Sequence, residues 1–157
     1  MSQILVVDNE PAILDFVRAF LEDEGYRVSV GRNGAEALRQ VQDHQPDLVL
    51  MDIMMPGLDG REVVRQLHEH PVHSAIPVIL MSAAVRWDHA VDGPIQFLHK
   101  PFELDQLLGM IGTTLRRRSA TSSPPAGHSP SSSPTLVSSA DRQTDWSSGP
   151  AGDLDFR

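Results

Sequence analysis

The feature that most constrains this chain is a strand-like segment followed by a helix-like segment, repeated five times over residues 3–117. Several strand-like segments are solid apolar runs, such as ILVV before Asp8 and LVLM before Asp52. Solid runs are typical of parallel strands that are buried on both faces. The helix-like segments carry apolar residues at helical spacing. The pattern predicts an α/β fold, a doubly wound five-stranded parallel sheet with helices on both faces.

The predicted elements alternate along the chain. The predicted strands are residues 3–8, 26–30, 48–51, 77–81 and 95–98. The predicted helices are residues 11–24, 34–44, 61–69 and 103–117, with a short fourth helix within 83–92.

The composition changes at about Ser119. Residues 119–157 are rich in Ser, Pro, Thr and Gly and contain few large apolar side chains. Such a segment cannot bury enough apolar surface to offset the entropy that ordering costs. We therefore predict one domain at residues 1–118 and a disordered Ser/Pro-rich tail at 119–157. The basic triplet Arg116, Arg117 and Arg118 is interpreted as a favourable cationic end to the last helix.

Charge and composition exclude several classes of function. A formal net charge of −8 leaves no basic face for contacts to phosphates, so direct nucleic-acid binding is not expected. The chain has no cysteine, which excludes disulfides and thiol catalysis and fits a cytoplasmic protein. No apolar run approaches the roughly 18 residues that span a bilayer, so no membrane partner is expected.

Polar side chains follow four of the predicted strands at their carboxyl ends. In a parallel sheet these ends meet at one edge, where ligands bind. The first strand is followed by Asp8, Asn9 and Glu10, the third by Asp52, the fourth by Ser82 and the fifth by Lys100.

This set of residues suits phosphoryl transfer to a carboxylate. Clustered carboxylates favour Mg²⁺, which would offset repulsion between Asp52 and an incoming phosphate. Lys100 can supply a positive charge to an acyl phosphate, and the Ser82 hydroxyl can bind a phosphoryl oxygen. Singly, each residue has an ordinary structural interpretation, such as helix capping by Asp8 or Asn9. Their joint placement predicts that Asp52 is the phosphoacceptor.

The segments ILVVDNEP, DLVLMDIMMPGLDG, PVILMSA and FLHKPF resemble the response-regulator receiver domain, in the order that the family has them. The resemblance covers about residues 3–117 and implies a flavodoxin-like sheet in the order 2-1-3-4-5. It implies that Asp52 takes the phosphoryl group and that Asp8 and Asn9 form the metal-binding pair, with the backbone carbonyl of Met54 as a further Mg²⁺ ligand. It also implies that Ser82 and Phe97 form a switch pair and that Lys100 binds the phosphoryl group and precedes a cis bond to Pro101.

Two departures from the family pattern stand out. Asn9 occupies the place of a second acid, so we expect weaker Mg²⁺ binding, partly offset by Glu10. The spacing from Ser82 to Lys100 is about one helical turn shorter than the family usually has. The shortfall lies in the predicted fourth helix, and it leaves the oligomeric state and the coupling of Phe97 open.

The expected function is phosphorelay signal transduction. The resemblance implies a sensor histidine kinase or a histidine phosphotransfer protein as donor and a downstream protein as target. The chain would then be no enzyme beyond its own Mg²⁺-dependent aspartyl phosphorylation and dephosphorylation. A phosphohydrolase is disfavoured because Met54 stands where such enzymes carry an acid. A pseudo-receiver, which binds partners without phosphorylation, stays open because of Asn9 and the short fourth helix.

Overall fold

The structure is a computed structural model that describes residues 1–83 and 93–122. The strands are Gln3–Val7 (β1), Arg27–Gly31 (β2), Leu48–Asp52 (β3), Val78–Ser82 (β4) and Ile95–His99 (β5). The helices are Pro11–Asp23 (α1), Gly34–His44 (α2), Gly60–Glu69 (α3) and Leu104–Ser122 (α4). The predicted short fourth helix falls on residues 84–92 and most of the predicted tail on 123–157, both outside the described residues.

All strand pairs in the sheet are parallel, in the order β2-β1-β3-β4-β5. The predicted fold class and strand order are therefore confirmed. β3 and β4 are buried along their whole length, as solid apolar runs require. No helix among the described residues is long and apolar enough to cross a membrane.

Alternate residues of the central strands point to opposite faces of the sheet. Leu5 and Val7 pack with the apolar faces of α2 and α3, whereas Ile4 and Val6 pack with those of α1 and α4. The sheet is thus covered on both faces, as predicted. The cap of α2 is also local in origin, because the Asn33 side chain accepts a hydrogen bond from the Glu36 amide at 2.8 Å.

The last helix is longer than its apolar pattern predicts. α4 continues to Ser122, whereas the predicted helix ends at residue 117. The hydroxyls of Ser119 and Thr121 bond to backbone carbonyls one turn earlier, at 3.1 and 3.0 Å. The basic triplet therefore lies before the last turn of α4, which contains no basic residue. The interpretation of the triplet as a cationic helix end is wrong.

Candidate functional site at the carboxyl edge of the sheet

The carboxyl ends of β1, β3, β4 and β5 bring the predicted polar residues to one edge. Asp8 directly follows β1, Asp52 and Ser82 end β3 and β4, and Lys100 directly follows β5. The register fixes this alignment, because Asp52 lies beside Met81 and the Lys100 amide donates to the Ser82 carbonyl at 2.9 Å. Asp8 is fully buried, and Asp52 and Ser82 are nearly so.

Lys100 joins the two acids of the site. Its Nζ lies 3.1 Å from Oδ2 of Asp52 and 3.5 Å from Oδ2 of Asp8. The shorter distance is a hydrogen bond, and the longer one is an ion pair without a good hydrogen bond. Asp8 Oδ2 is buried and accepts no hydrogen bond from residues 1–83 or 93–122. Among the described residues, one cation thus faces two buried carboxylates.

Burial and the two nearby acids both change the pKa of Lys100. Burial by itself lowers the pKa of the ammonium, because it disfavours the charged form. The hydrogen bond and charge of Asp52, together with Asp8, outweigh burial, so the pKa of Lys100 is raised above its ordinary value of 10.5. Lys100 is therefore held in its charged form at neutral pH.

Backbone amides orient both carboxylates through their other oxygens. Oδ1 of Asp8 accepts the Glu10 amide at 3.0 Å, and Oδ1 of Asp52 accepts the Met54 amide at 3.1 Å. Each bond spans two residues, as is common where an Asp side chain shapes a turn. The Oδ2 atom of each carboxylate is consequently the one that faces Lys100.

Gly60 allows α3 to start directly against the carboxyl end of β3. A Cβ at this position would lie 2.8 Å from the Asp52 carbonyl oxygen and 2.9 Å from Ile53 Cα. Only glycine fits such an approach without a shift of the backbone. The place of Gly60 at the end of the loop after Asp52 is the sequence signal that could have identified this contact.

The remaining predicted residues are more exposed than this buried centre. Asn9 and Glu10 are exposed at the start of α1, and Met54 is 65% exposed in the loop after β3. Phe97 lies on β5 with 41% of its surface exposed. The Lys100–Pro101 peptide bond is cis, as the resemblance implies.

The capping interpretation of Asp8 and Asn9 finds no support. The N-cap residue of α1 is Glu10, and no side chain caps this helix. Asp8 instead lies at the edge of the sheet beside Lys100. Asp8 is therefore part of the polar centre and does not cap the helix.

The donor set fits a small hard cation. Mg²⁺ takes one or two carboxylates and keeps several waters, and Asp8 has a buried oxygen to which no described residue donates a hydrogen bond. Within residues 1–83 and 93–122, no three acidic or histidine side chains form a metal-binding group. A cation here would thus rely on two carboxylates, with water, carbonyl or amide oxygens completing its shell.

A parallel sheet in this order, with two acids and a lysine at its carboxyl edge, defines the CheY-like class of flavodoxin-like folds. The family model described as "Response regulator receiver domain" matches residues 4–112, and the chain belongs to this family. Two-component signalling is the setting in which response regulators act.

Relatives with similar sequences include a protein named as a response regulator. The chain is 36% identical over 124 residues to the response regulator Rre1 of Synechocystis sp., which covers 76% of this chain and 54% of that protein. It is 37% identical over 119 residues to the protein PilH of Pseudomonas aeruginosa, which covers 73% of this chain and 98% of that protein. The chain spans about half the length of most of the curated relatives it matches.

Solved structures show the same fold. The chemotaxis protein CheY4 of Vibrio cholerae superposes with a TM-score of 0.67 at 27% identity, covering 73% of this chain and 98% of that one. A CheY-like receiver domain from Methanospirillum hungatei superposes with a TM-score of 0.71 at 26% identity, covering 77% of this chain and 98% of that one.

Proposed function

We propose that this chain is a phosphorylation-controlled switch that accepts a phosphoryl group on Asp52. The observation that carries the proposal is the placement of Lys100 Nζ within 3.5 Å of both Asp52 and the fully buried Asp8. A nucleophilic carboxylate, a second acid and a fixed cation are the parts that an aspartyl phosphate needs. The donor would be a sensor histidine kinase or a histidine phosphotransfer protein in the cytoplasm.

In the proposed reaction, a carboxylate oxygen of Asp52 attacks the phosphorus of a phosphohistidine. The new P–O bond forms as the P–N bond breaks, and the imidazole leaves with the electron pair of that bond. Lys100 neutralises negative charge on the transferred group, and the Ser82 hydroxyl, at the end of the adjacent strand, donates to a phosphoryl oxygen.

Mg²⁺ would be held by Asp8 and Asp52, with the Met54 carbonyl, Asn9 and Glu10 as further oxygen donors. When bound, the cation would supply positive charge that offsets repulsion between the carboxylates and the phosphate. Asn9 contributes an amide oxygen without a charge, so the site carries one negative charge less than a site with an acid at this position.

The proposed output is a change of protein binding. Phe97 lies on β5 with 41% of its surface exposed, and β4, which ends in Ser82, separates β5 from the acceptor strand β3. Recruitment of the Ser82 hydroxyl by the phosphoryl group would vacate space into which the Phe97 ring turns. The surface around β5 would then differ between the two states, and a downstream protein would distinguish them.

The pseudo-receiver alternative rests on Asn9 alone among the described residues. The acceptor carboxylate, the buried Asp8, the hydroxyl and the lysine are all in place at one edge. A domain that binds partners without phosphorylation would have no need to bury two acids against one cation. This arrangement favours the switch.

Intact-mass measurement after incubation with Mg²⁺ and acetyl phosphate tests the proposal. We expect a gain of one phosphoryl group in the parent and none in Asp52→Ala. Asp59→Asn is the matched control, because Asp59 is an acid in the same loop whose capping bonds to α3 an asparagine can replace. It should gain the group as the parent does. No gain in the parent at saturating Mg²⁺ would support the pseudo-receiver instead.

A further inference from the structure

The basic triplet on α4 has no role in the proposed switch, and its three arginines have different surroundings. Arg116 donates to the Thr113 hydroxyl at 3.3 Å on the exposed side of the helix. Arg118 pairs with Asp47 at 3.4 Å and donates to the Pro46 carbonyl at 3.3 Å. Arg117 lines an open cavity and makes no ion pair with any residue in 1–83 or 93–122.

The cavity has a volume of about 710 Å³ and lies at the amino-terminal edge of the sheet, opposite the acidic site. Pro77 precedes β4, Pro94 precedes β5, and Ile95 begins β5. These residues and Ala75 form an apolar wall, which faces the final turns of α4. A pocket of this size that is mostly apolar with a few polar groups is typical of sites for small organic ligands.

Most polar side chains around the cavity are already hydrogen-bonded. The Gln96 amide donates to the Thr114 hydroxyl at 2.8 Å, and that hydroxyl donates to the Met110 carbonyl at 2.7 Å. The Thr121 hydroxyl donates to the Arg117 carbonyl at 3.0 Å. The polar groups that remain for a ligand are therefore guanidinium N–H donors, above all those of Arg117.

We propose that this cavity binds a small amphipathic anion, an aryl or acyl carboxylate, with its apolar body against Pro77, Pro94 and Ile95. Its carboxylate would pair with Arg117, whose planar guanidinium matches a carboxylate in two parallel hydrogen bonds. Arg118 adds positive charge at the same rim while it stays bonded to Asp47. The site is separate from Asp52 and does not depend on phosphorylation.

Titration of the ¹⁵N-labelled full chain with 2-naphthoate tests the inference, with 2-naphthylmethanol as an uncharged probe of similar shape. We expect saturable shifts of the Ile95, Gln96 and Thr114 amides with naphthoate. Binding of the alcohol should be roughly tenfold weaker, which corresponds to the loss of about one charged contact. Equal binding of both probes would overturn the proposed role of the anion.

Two arginine variants separate a specific contact from general charge. Arg117→Gln should weaken naphthoate binding roughly tenfold and leave naphthylmethanol unaffected. Arg116→Gln removes the same charge one residue away and should change neither. Equal effects of the two variants would show attraction by charge alone and overturn the site.

A third variant tests the cavity itself. Thr121→Trp introduces a large ring from an exposed position near the end of α4 and should abolish binding of both probes. The amide spectrum reports directly whether each variant is folded. No saturable shift in the parent up to about 5 mM probe, a limit close to the weakest specific affinities, would overturn the proposal. Shifts centred on other residues would do the same.

Discussion

Lys100 Nζ lies 3.5 Å from Oδ2 of Asp8, a buried oxygen that accepts no hydrogen bond within the described part of the chain. The same ammonium bonds to Asp52 at 3.1 Å. Asp8 thus shares its cation with Asp52, the proposed phosphoacceptor. Whatever draws Lys100 towards a phosphoryl group changes the surroundings of Asp8 at the same time.

Replacement of the shared cation should destabilise the fold. Lys100→Met leaves two buried carboxylates without their counter-charge, and we expect a loss of roughly 2 kcal/mol in the free energy of unfolding at neutral pH. Urea denaturation measures it. Arg18→Met is the control, because Arg18 and Glu22 form an exposed pair whose loss should change stability by less than about 1 kcal/mol.

The contribution of Lys100 should also depend on pH. Its pKa is raised in the folded state, so its stabilising effect is complete below the ordinary value of 10.5 and is lost as the pH rises through the folded value. The difference between the parent and Lys100→Met should therefore shrink in alkaline solution. A difference that stays constant across this range would contradict the ion-pair assignment.

Asn9→Asp should strengthen Mg²⁺ binding. One more negative charge beside Asp8 should raise the affinity roughly tenfold. Isothermal titration calorimetry with MgCl₂ measures the affinity without any phosphorylation step. Asn33→Asp adds the same charge at the cap of α2, a position where aspartate caps equally well, and should have little effect. An unchanged affinity in Asn9→Asp would place this residue outside the metal site.

Gly60→Ala should damage both stability and phosphorylation. Its Cβ would meet the Asp52 carbonyl oxygen at 2.8 Å, and relief of this contact requires a shift of β3 or of α3. We expect a loss of about 1–3 kcal/mol in unfolding free energy. Gly109→Ala is the matched control, because its Cβ meets nothing within 4 Å on the exposed side of α4. That variant should gain roughly 0.5–1 kcal/mol.

Acid should loosen the turn between α3 and β4. His73 is buried and stacks on His70 with ring centroids 4.1 Å apart. Burial, with a smaller effect of the charge of His70, lowers the pKa of His73 below its ordinary value of 6.5. The unfolded chain therefore binds the proton first, and stability is lost as the pH falls through 6.5 towards the folded value.

His73→Phe keeps the ring and removes the proton. Its melting temperature should fall by less than that of the parent between neutral and mildly acidic pH, by a margin of a few degrees. His99→Gln, at an exposed position on β5, should follow the parent. Identical acid profiles in the parent and His73→Phe would rule His73 out as the cause.

The acyl phosphate should be long-lived. Met54 is exposed two residues after Asp52 and offers only a thioether, a weak hydrogen-bond acceptor that cannot orient an attacking water. We expect a half-life of minutes or longer in the intact-mass assay after the phosphodonor is removed. Met54→Glu should shorten it several-fold, and Met54→Leu should leave it unchanged. A half-life of seconds in the parent would contradict this expectation.

The sequence predicts the sheet well because its information is local. Solid apolar runs identify the buried strands, and the polar residue after each run marks the edge where it ends. The apolar pattern does not predict the final turn of α4, because Ser119, Ala120 and Thr121 show no apolar period. It forms nonetheless, since an existing helix extends at little cost and two hydroxyls bond to its carbonyls.

The distances between side chains in the candidate site also cannot be predicted from the sequence. The spacing of Asp8, Asp52 and Lys100 predicts that they share an edge, but not that one ammonium bridges both acids. The distances from Lys100 Nζ to the two acids depend on the path of the chain after β5. They also depend on which carboxylate oxygen accepts each backbone amide. The cavity beside Arg117 is equally hidden, because it combines segments far apart in the chain.

α4 has a mechanical consequence as well. It begins four residues after Lys100, and Arg118, near its other end, bonds to Asp47 and Pro46 at the opposite edge of the sheet. The fourteen residue steps from Leu104 to Arg118 cover about 21 Å. Leu107 and Ile111 pack this part of α4 against the core. Because α4 is packed on the core and bonded near its far end, we expect it to behave as a strut that passes a displacement beside the acidic site along to the contact between Arg118 and Asp47.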